Sequence, residues 1–216
     1  TAGPTREPVD PVRFVSNRSS GRMGYALAET ARRRGAEVEL VSGPVSLPPP
    51  AGVRVTRVET ALEMERATLA LCGTADAVVL AAAVGDYRPA EVAPRKLKRR
   101  AEETVLKLVA NPDIAREVAA GRRSGQVIVG FAAETEDLTE NAAAKLSAKG
   151  LDLIVANLVG VEGGGFESET NSVSILDAGG LVGRVECRPK AEVAERIWDA
   201  VVQRWTESRG DAERKQ

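Results

Sequence analysis

Histidine is absent from all 216 residues, and with it go histidine general bases, Ser-His and Cys-His nucleophile pairs, and histidine-ligated zinc. Cysteine is scarce. Cys72 and Cys187 lie far apart and form no C-x-x-C pair, which argues against a disulfide framework or a thiolate metal site and fits a reducing compartment. No apolar run approaches the length needed to cross a bilayer, and the opening residues carry no hydrophobic signal region. The expected location is therefore cytoplasmic, with no membrane partner. An excess of either charge is missing as well. Lys and Arg total 30 against 31 Asp and Glu, a formal net charge of -1, which leaves no electrostatic footprint for duplex nucleic acid and confines any basic patch to a local segment. Chemistry in such a chain must rest on lysine, carboxylates, amides and Mg²⁺.

The length suits one hydrophobic core, expected as a single domain over 1–207 followed by a disordered tail over 208–216. Thr1-Ala2-Gly3-Pro4-Thr5 reads as the loop after a buried strand, with that strand and an initiator Met both missing, so the chain reads as part of a longer product. Met23, Leu27 and Ala31 recur at four-residue spacing, predicting a helix over 20–34 that stops at Gly35. Strands are expected at 36–41 and 53–58. Thr60 and Glu63 form a capping box opening a helix to about Cys72. The apolar run 76–83 reads as a central strand buried on both faces. Residues 105–109 look extended, and Asn111-Pro112 supplies an N-cap and N1 proline for a short helix. Further strands at 127–131 and 151–156 flank an alanine-rich helix over 135–149. A hairpin turning at 177–180 precedes a last helix over 189–205. The alternation implies an α/β fold: a Rossmann-like, doubly wound, mainly parallel sheet with a C-terminal β-hairpin, its ligand crevice beyond the carboxyl ends of the strands.

Four features could carry chemistry. The first is Ser16 to Gly24, where Ser19, Ser20 and Gly21 open a helix and leave backbone amides for a phosphate; the alternative is an ordinary serine cap. It is neither a P-loop nor a clean G-x-G-x-x-G. The second is the segment Ala82 to Pro89 at the end of the central strand. There Asp86 could accept from a ribose or bind Mg²⁺ through water, or be a turn residue. The third, Arg95 to Arg100, places five cations in six positions, either a loop closing over a triphosphate or a solvated charge run. The fourth is Lys145 and Lys149 at i and i+4, an anion clamp or two cations answering a helix dipole. Asn111, Pro112, Asp113, Ile114 and Phe131 fall at strand ends suited to framing a base, or serve capping and core packing.

These segments, in this order, resemble phosphopantothenate-cysteine ligase, a family of bacterial coenzyme A biosynthesis. The likeness runs through Thr1 to Arg13, Ser16-Asn17-Arg18-Ser19-Ser20-Gly21, Ala82-Ala83-Val84-Gly85-Asp86-Tyr87, the lysine loop, Asn111-Pro112-Asp113-Ile114, Gly130 to Thr135 and Ala156-Asn157. The resemblance implies that CTP activates 4'-phosphopantothenate as an acyl-cytidylate. The amine of L-cysteine then displaces CMP to give 4'-phosphopantothenoylcysteine, with Mg²⁺ as cofactor and ligands unassigned. It implies Asn17 and Lys96 as catalytic residues, Asn17 donating to the acyl carbonyl in the second step. Asp86, Lys96, Pro112, Asp113, Ile114, Ala115, Phe131, Lys145 and Lys149 would line the nucleotide site. The loop departs from the family's K-x-K-K with Arg99 at the last position, and Gly85 stands where alanine is common. The resemblance also implies a homodimer and fusion to a flavin-dependent decarboxylase. The rivals are a nicotinamide-dependent oxidoreductase, disfavoured because no acidic residue follows Val41 to hold a ribose, and a catalytically silent nucleotide sensor.

Overall fold

The computed structural model describes residues 1–98, 104–134, 138–158 and 168–213. In chain order the elements are β1 (Arg6–Pro8), β2 (Phe14–Ser16), α1 (Arg22–Arg33), β3 (Glu39–Ser42), β4 (Arg54–Arg57), α2 (Ala61–Cys72), β5 (Ala77–Leu80), β6 (Tyr87–Pro89), β7 (Leu108–Ala110) and α3 (Ile114–Ala120). They continue with β8 (Val127–Glu134), α4 (Leu138–Lys149), β9 (Leu153–Leu158), β10 (Thr170–Asp177), β11 (Gly180–Pro189) and α5 (Lys190–Glu213).

The apolar runs form the sheet. Strands β5, β8 and β9 pair in parallel, and β10 and β11 extend it antiparallel as the expected hairpin. Strands β3 and β4 form a separate parallel pair. Residues 1–5, expected as a loop, join the two: Ala2 bridges Ser42 and Pro4 bridges Ala83, both in parallel. The Ala2 amide donates to Val41 O and the Ala83 amide to Gly3 O, each at 2.9 Å. Along β8 the side chains alternate between two cores, as strand geometry requires. Val127 and Val129 pack with Leu27 of α1 and with Val193 and Ile197 of α5. Ile128 packs with Met64 of α2, Val118 of α3 and Leu146 of α4. Helices therefore cover both faces of a mainly parallel sheet.

The capping box at α2 is present: Thr60 Oγ1 accepts from the Glu63 amide at 3.2 Å, and Glu63 Oε2 accepts from the Thr60 amide at 3.3 Å. Buried Glu7 adds an acceptor for the Ala61 amide at 3.0 Å, and a cap of this kind contributes about 1 kcal/mol.

Two further expectations fail. Asn111 is not the N-cap of α3. Asp113 is, accepting from the Arg116 amide, because the Asn111 side chain is taken by the turn before β6, donating to Gly85 O at 2.8 Å and accepting from Arg88 at 3.1 Å. The last helix does not end at Trp205 either, and 208–213 is helical where a disordered tail is expected. Ser208 Oγ donates to Trp205 O and Gly125 O, and Arg209 lies over the Trp205 ring. Those contacts hold the polar extension against the body of the protein. Residues 214–216 lie outside the described residues.

Candidate functional site

A cavity of about 730 Å³ opens at the carboxyl ends of β5, β8 and β9, where a doubly wound sheet presents its ligand crevice. Its floor is the turn at Ala83 to Asp86, held from three separate segments. Asn17 Nδ2 donates to Ala83 O at 3.2 Å and Val84 O at 3.0 Å. Thr5 Oγ1 accepts from the Gly85 amide at 2.9 Å. Asn111 reaches Gly85 O with its side chain, and its amide donates to Asp86 O at 2.8 Å. The Asn17 side chain lines the cavity and at the same time holds the turn through two main-chain carbonyls.

One wall is the start of α1. Its N-cap is Gly21, left-handed with φ of 74°, and no side chain caps the helix. The serine-cap alternative is therefore not what is seen: Ser19 Oγ turns back to accept from the Gly21 amide at 3.4 Å. A Cβ at Gly21 would meet Val45 Cγ1 at 2.6 Å, and one at Gly24 would meet Ala2 Cβ at 2.5 Å. Glycine at these positions lets the start of α1 pack closely on Val45 and Ala2, and that positive helix end lines the cavity, an arrangement suited to an anion.

The opposite wall comes from α3 and the end of α4. Pro112, Asp113, Ile114, Ala115, Lys145 and Lys149 line it, with Phe131, Ala82 and exposed Asp86 between the two walls. The clamp expected of Lys145 and Lys149 is modified by Asp113, whose carboxylate pairs with Lys149 Nζ at 3.1 Å. Both partners are partly exposed, so the pair contributes at most about 1 kcal/mol and leaves Lys149 available to an anionic ligand.

Lys96 is the one expected site residue that does not line the cavity. Its neighbour Leu97 is gripped from both sides of its peptide: the amide donates to Asp10 Oδ2 at 3.1 Å, and Arg13 Nη2 donates to Leu97 O at 2.8 Å. Asp10 also accepts from the Val12 and Arg13 amides at 2.9 Å and from the Arg13 side chain. The Arg13 hydrogen bonds, with help from those of the backbone, hold its carboxyl well below the usual carboxylate range. Arg99 and Arg100 lie outside the described residues.

Sequence reasoning missed Asn171 and Lys190, which also line the cavity, and gave no individual role to Arg22 and Asn157, which lie within segments it singled out and line it too. Lys190 is buried, and its Nζ donates to Ser168 O. Burial pushes its pKa down, and the charge of Arg22 adds to that. A signal was available, since a cation at the first position of a helix opposes the helix dipole. Among the described residues no group of three or more His, Cys, Asp or Glu side chains could hold a metal by itself, and no helix is long and apolar enough to cross a membrane.

A family model described as "DNA/pantothenate metabolism flavoprotein C-terminal domain" matches residues 1–204. The Coenzyme A biosynthesis bifunctional protein CoaBC of Escherichia coli (strain K12) is 51% identical over 179 residues, covering 82% of this chain and 44% of that protein. A protein named Cysteine/Cysteine sulfinic acid decarboxylase, from an unknown prokaryotic organism, is 46% identical over 197 residues, covering 91% of this chain and 55% of that protein. The chain spans about half the length of the curated relatives it matches. Among solved structures, the crystal structure of the C-terminal domain of CoaBC superposes with a TM-score of 0.78 at 40% identity, covering 93% of this chain and 90% of that chain.

Proposed function

The chain belongs to the family of the DNA/pantothenate metabolism flavoprotein C-terminal domain, and from that membership we propose that it is a phosphopantothenate-cysteine ligase unit of coenzyme A biosynthesis. The observation that carries the reading is the convergence of Asn17, Gly21, Asp86, Phe131, Lys145 and Lys149 on one cavity at the carboxyl edge of the sheet, in a chain without histidine.

In this reading the phosphates of CTP lie at the start of α1, by Ser19, Ser20 and Gly21. The nucleoside lies toward Ile114, Ala115 and Phe131, with Lys145 and Lys149 beside it. The carboxylate of 4'-phosphopantothenate attacks the α-phosphate, forming an acyl-phosphate bond and expelling pyrophosphate. The cysteine amine then attacks the acyl carbon, CMP leaves, and the amine proton passes to solvent. No general base is required for the first step because a carboxylate is already ionised at neutral pH, and the burden falls on neutralising phosphate charge. The hold of Asn17 on the turn fixes the surface against which the acyl intermediate lies. Lys96 would act after its loop moves to the cavity, on release of the grip on Leu97.

Mg²⁺ is commonly held by one or two carboxylates together with substrate phosphates rather than by an all-protein cage. Exposed Asp86 at the cavity rim fits that mode. The ion would supply charge neutralisation on the triphosphate. The arms β1–β2 and β6–β7 expose Val12, Phe14, Tyr87 and Leu108, an apolar surface that suits the second copy of a homodimer. The remaining length of the relatives is the place for a flavin-dependent decarboxylase partner, in a cytoplasmic bifunctional protein.

The test is incubation with 4'-phosphopantothenate, Mg²⁺ and either CTP or ATP, with and without cysteine. Sustained, cysteine-dependent CMP formation is expected. Turnover with ATP alone would overturn the nucleotide assignment, and no turnover despite CTP binding would favour a nucleotide sensor.

A further inference from the structure

Lys190 and Arg22 form a cationic corner of the cavity for which the ligase reading above has no task. Lys190 is only 7% exposed and opens α5, where the dipole of its own helix disfavours a cation. One of its three donors goes to Ser168 O. No carboxylate pairs with it among the described residues, since Glu169 pairs instead with Arg22, at 3.8 Å, and its side chain is 92% exposed. A buried ammonium beside a guanidinium is costly, and a lysine retained for packing alone could be replaced by an apolar residue of similar length without that cost. The corner also lies across the sheet from the other lysines. Arg22 and Lys190 open the helices that pack on Val127 and Val129, whereas Lys145 and Lys149 belong to the helix that packs on Ile128 and Ile154. The cavity is therefore positive on both sides of the sheet edge, an arrangement matched by a ligand with separated anionic parts.

We propose that Lys190, assisted by Arg22, holds the two terminal phosphates of the nucleotide, the part that departs as pyrophosphate. This rests on the ligase reading. When the carboxylate oxygen bonds to the α-phosphorus, the bond from that phosphorus to the bridging oxygen breaks, and the electron pair leaves with pyrophosphate. Lys190 donates to the departing oxygens and offsets the charge that gathers there. The same corner could instead take the phosphate of 4'-phosphopantothenate, and the experiment separates the two sources.

Calorimetric titration of the folded protein with inorganic pyrophosphate, CMP and 4'-phosphopantothenate, for wild type, Lys190→Met and Lys190→Arg, provides the test. Lys190→Met should weaken pyrophosphate about tenfold or more, the scale of one lost charge-assisted bond, while CMP and 4'-phosphopantothenate stay within about twofold. Lys190→Arg should recover most of the pyrophosphate affinity. Equal weakening of all three ligands would mark a structural lysine, and selective loss of 4'-phosphopantothenate would assign the corner to the other substrate; either overturns the proposal. If Lys190→Met does not fold, the Lys190 ε-methylene resonance in labelled wild-type protein, assigned with Lys190→Arg, should move with pyrophosphate and not with CMP. No movement would overturn it equally. Pyrophosphate binding is readable even if CTP gives no turnover, so failure of the ligase reading and failure of this one are distinguishable.

Discussion

The two lysine-bearing regions that the sequence offers for phosphate fare differently in the fold. Lys145 and Lys149 ride on a helix whose end is delivered to the cavity by strand order alone, since α4 must return from β8 to β9 across the sheet. Lys96 rides on a loop whose path is set by Asp10 and Arg13, more than 80 residues away in sequence. The first region is placed by topology and the second by a side-chain grip. A framework residue should therefore serve ground-state binding, and a gripped loop should serve a step that follows binding.

The largest expected effect tests the framework. Asn17→Asp sets a carboxylate against the carbonyls of Ala83 and Val84, costing about 1–3 kcal/mol of stability and lowering kcat on the order of a hundredfold through misplacement of the turn. Steady-state kinetics on a variant shown to be folded reads it. A rate within about threefold of wild type would mean that the turn does not align the substrates.

Next in size is the contrast between regions. Lys149→Gln should weaken CMP about tenfold by equilibrium titration, the loss of one charged contact. Lys96→Gln should leave CMP affinity unchanged and reduce kcat alone. The reverse pattern would break the comparison.

A smaller effect sharpens the description of the loop. Asp10→Asn removes the charged acceptor at Leu97, so hydrogen exchange at the Leu97 amide should rise about tenfold with little change in CMP affinity. In wild type the Asp10 carboxyl lies below its unfolded value. The stabilisation is therefore complete above the unfolded pKa of about 4 and declines as pH falls below it. Exchange at Leu97, corrected for its intrinsic rate, should accordingly be flat from neutral pH down to about 5 and rise only in acid.

The smallest effect concerns Gly85→Ala. An added Cβ would meet only Thr5 Oγ1 and neighbours at 3.5 Å or more, and Gly85 has no positive φ. Alanine should therefore fit and raise stability by about 0.4–1 kcal/mol by restricting the unfolded chain, read as a small rise in Tm.

The strands and helices were legible wherever one residue pattern decides one element. The apolar runs read at 76–83, 127–131 and 151–156 contain the strands β5, β8 and β9, β5 with only alternate residues fully buried, and Thr60 with Glu63 opens α2 where the capping box places it. Topology then carries most of the site, because strand ends converge whatever their side chains do. What escaped reading depends on partners remote in sequence. Asn111 looks like a cap until Gly85 and Arg88 claim its amide. Lys190 looks like an ordinary surface cation until Arg22 and Ser168 surround it. Residues 1–5 look like a loop because Gly3 and Pro4 interrupt any strand pattern, yet they bond to both neighbouring strands.

That last segment has a kinetic consequence. Among the described residues, strands β3 and β5 are joined only through it, by pairings that span about 40 and about 80 residues, and contacts so distant form late because the loops must close first. Until the segment inserts, two apolar strand edges stand unpaired. Refolding from denaturant should therefore be slow and sensitive to protein concentration, with off-pathway association competing against insertion of these few residues.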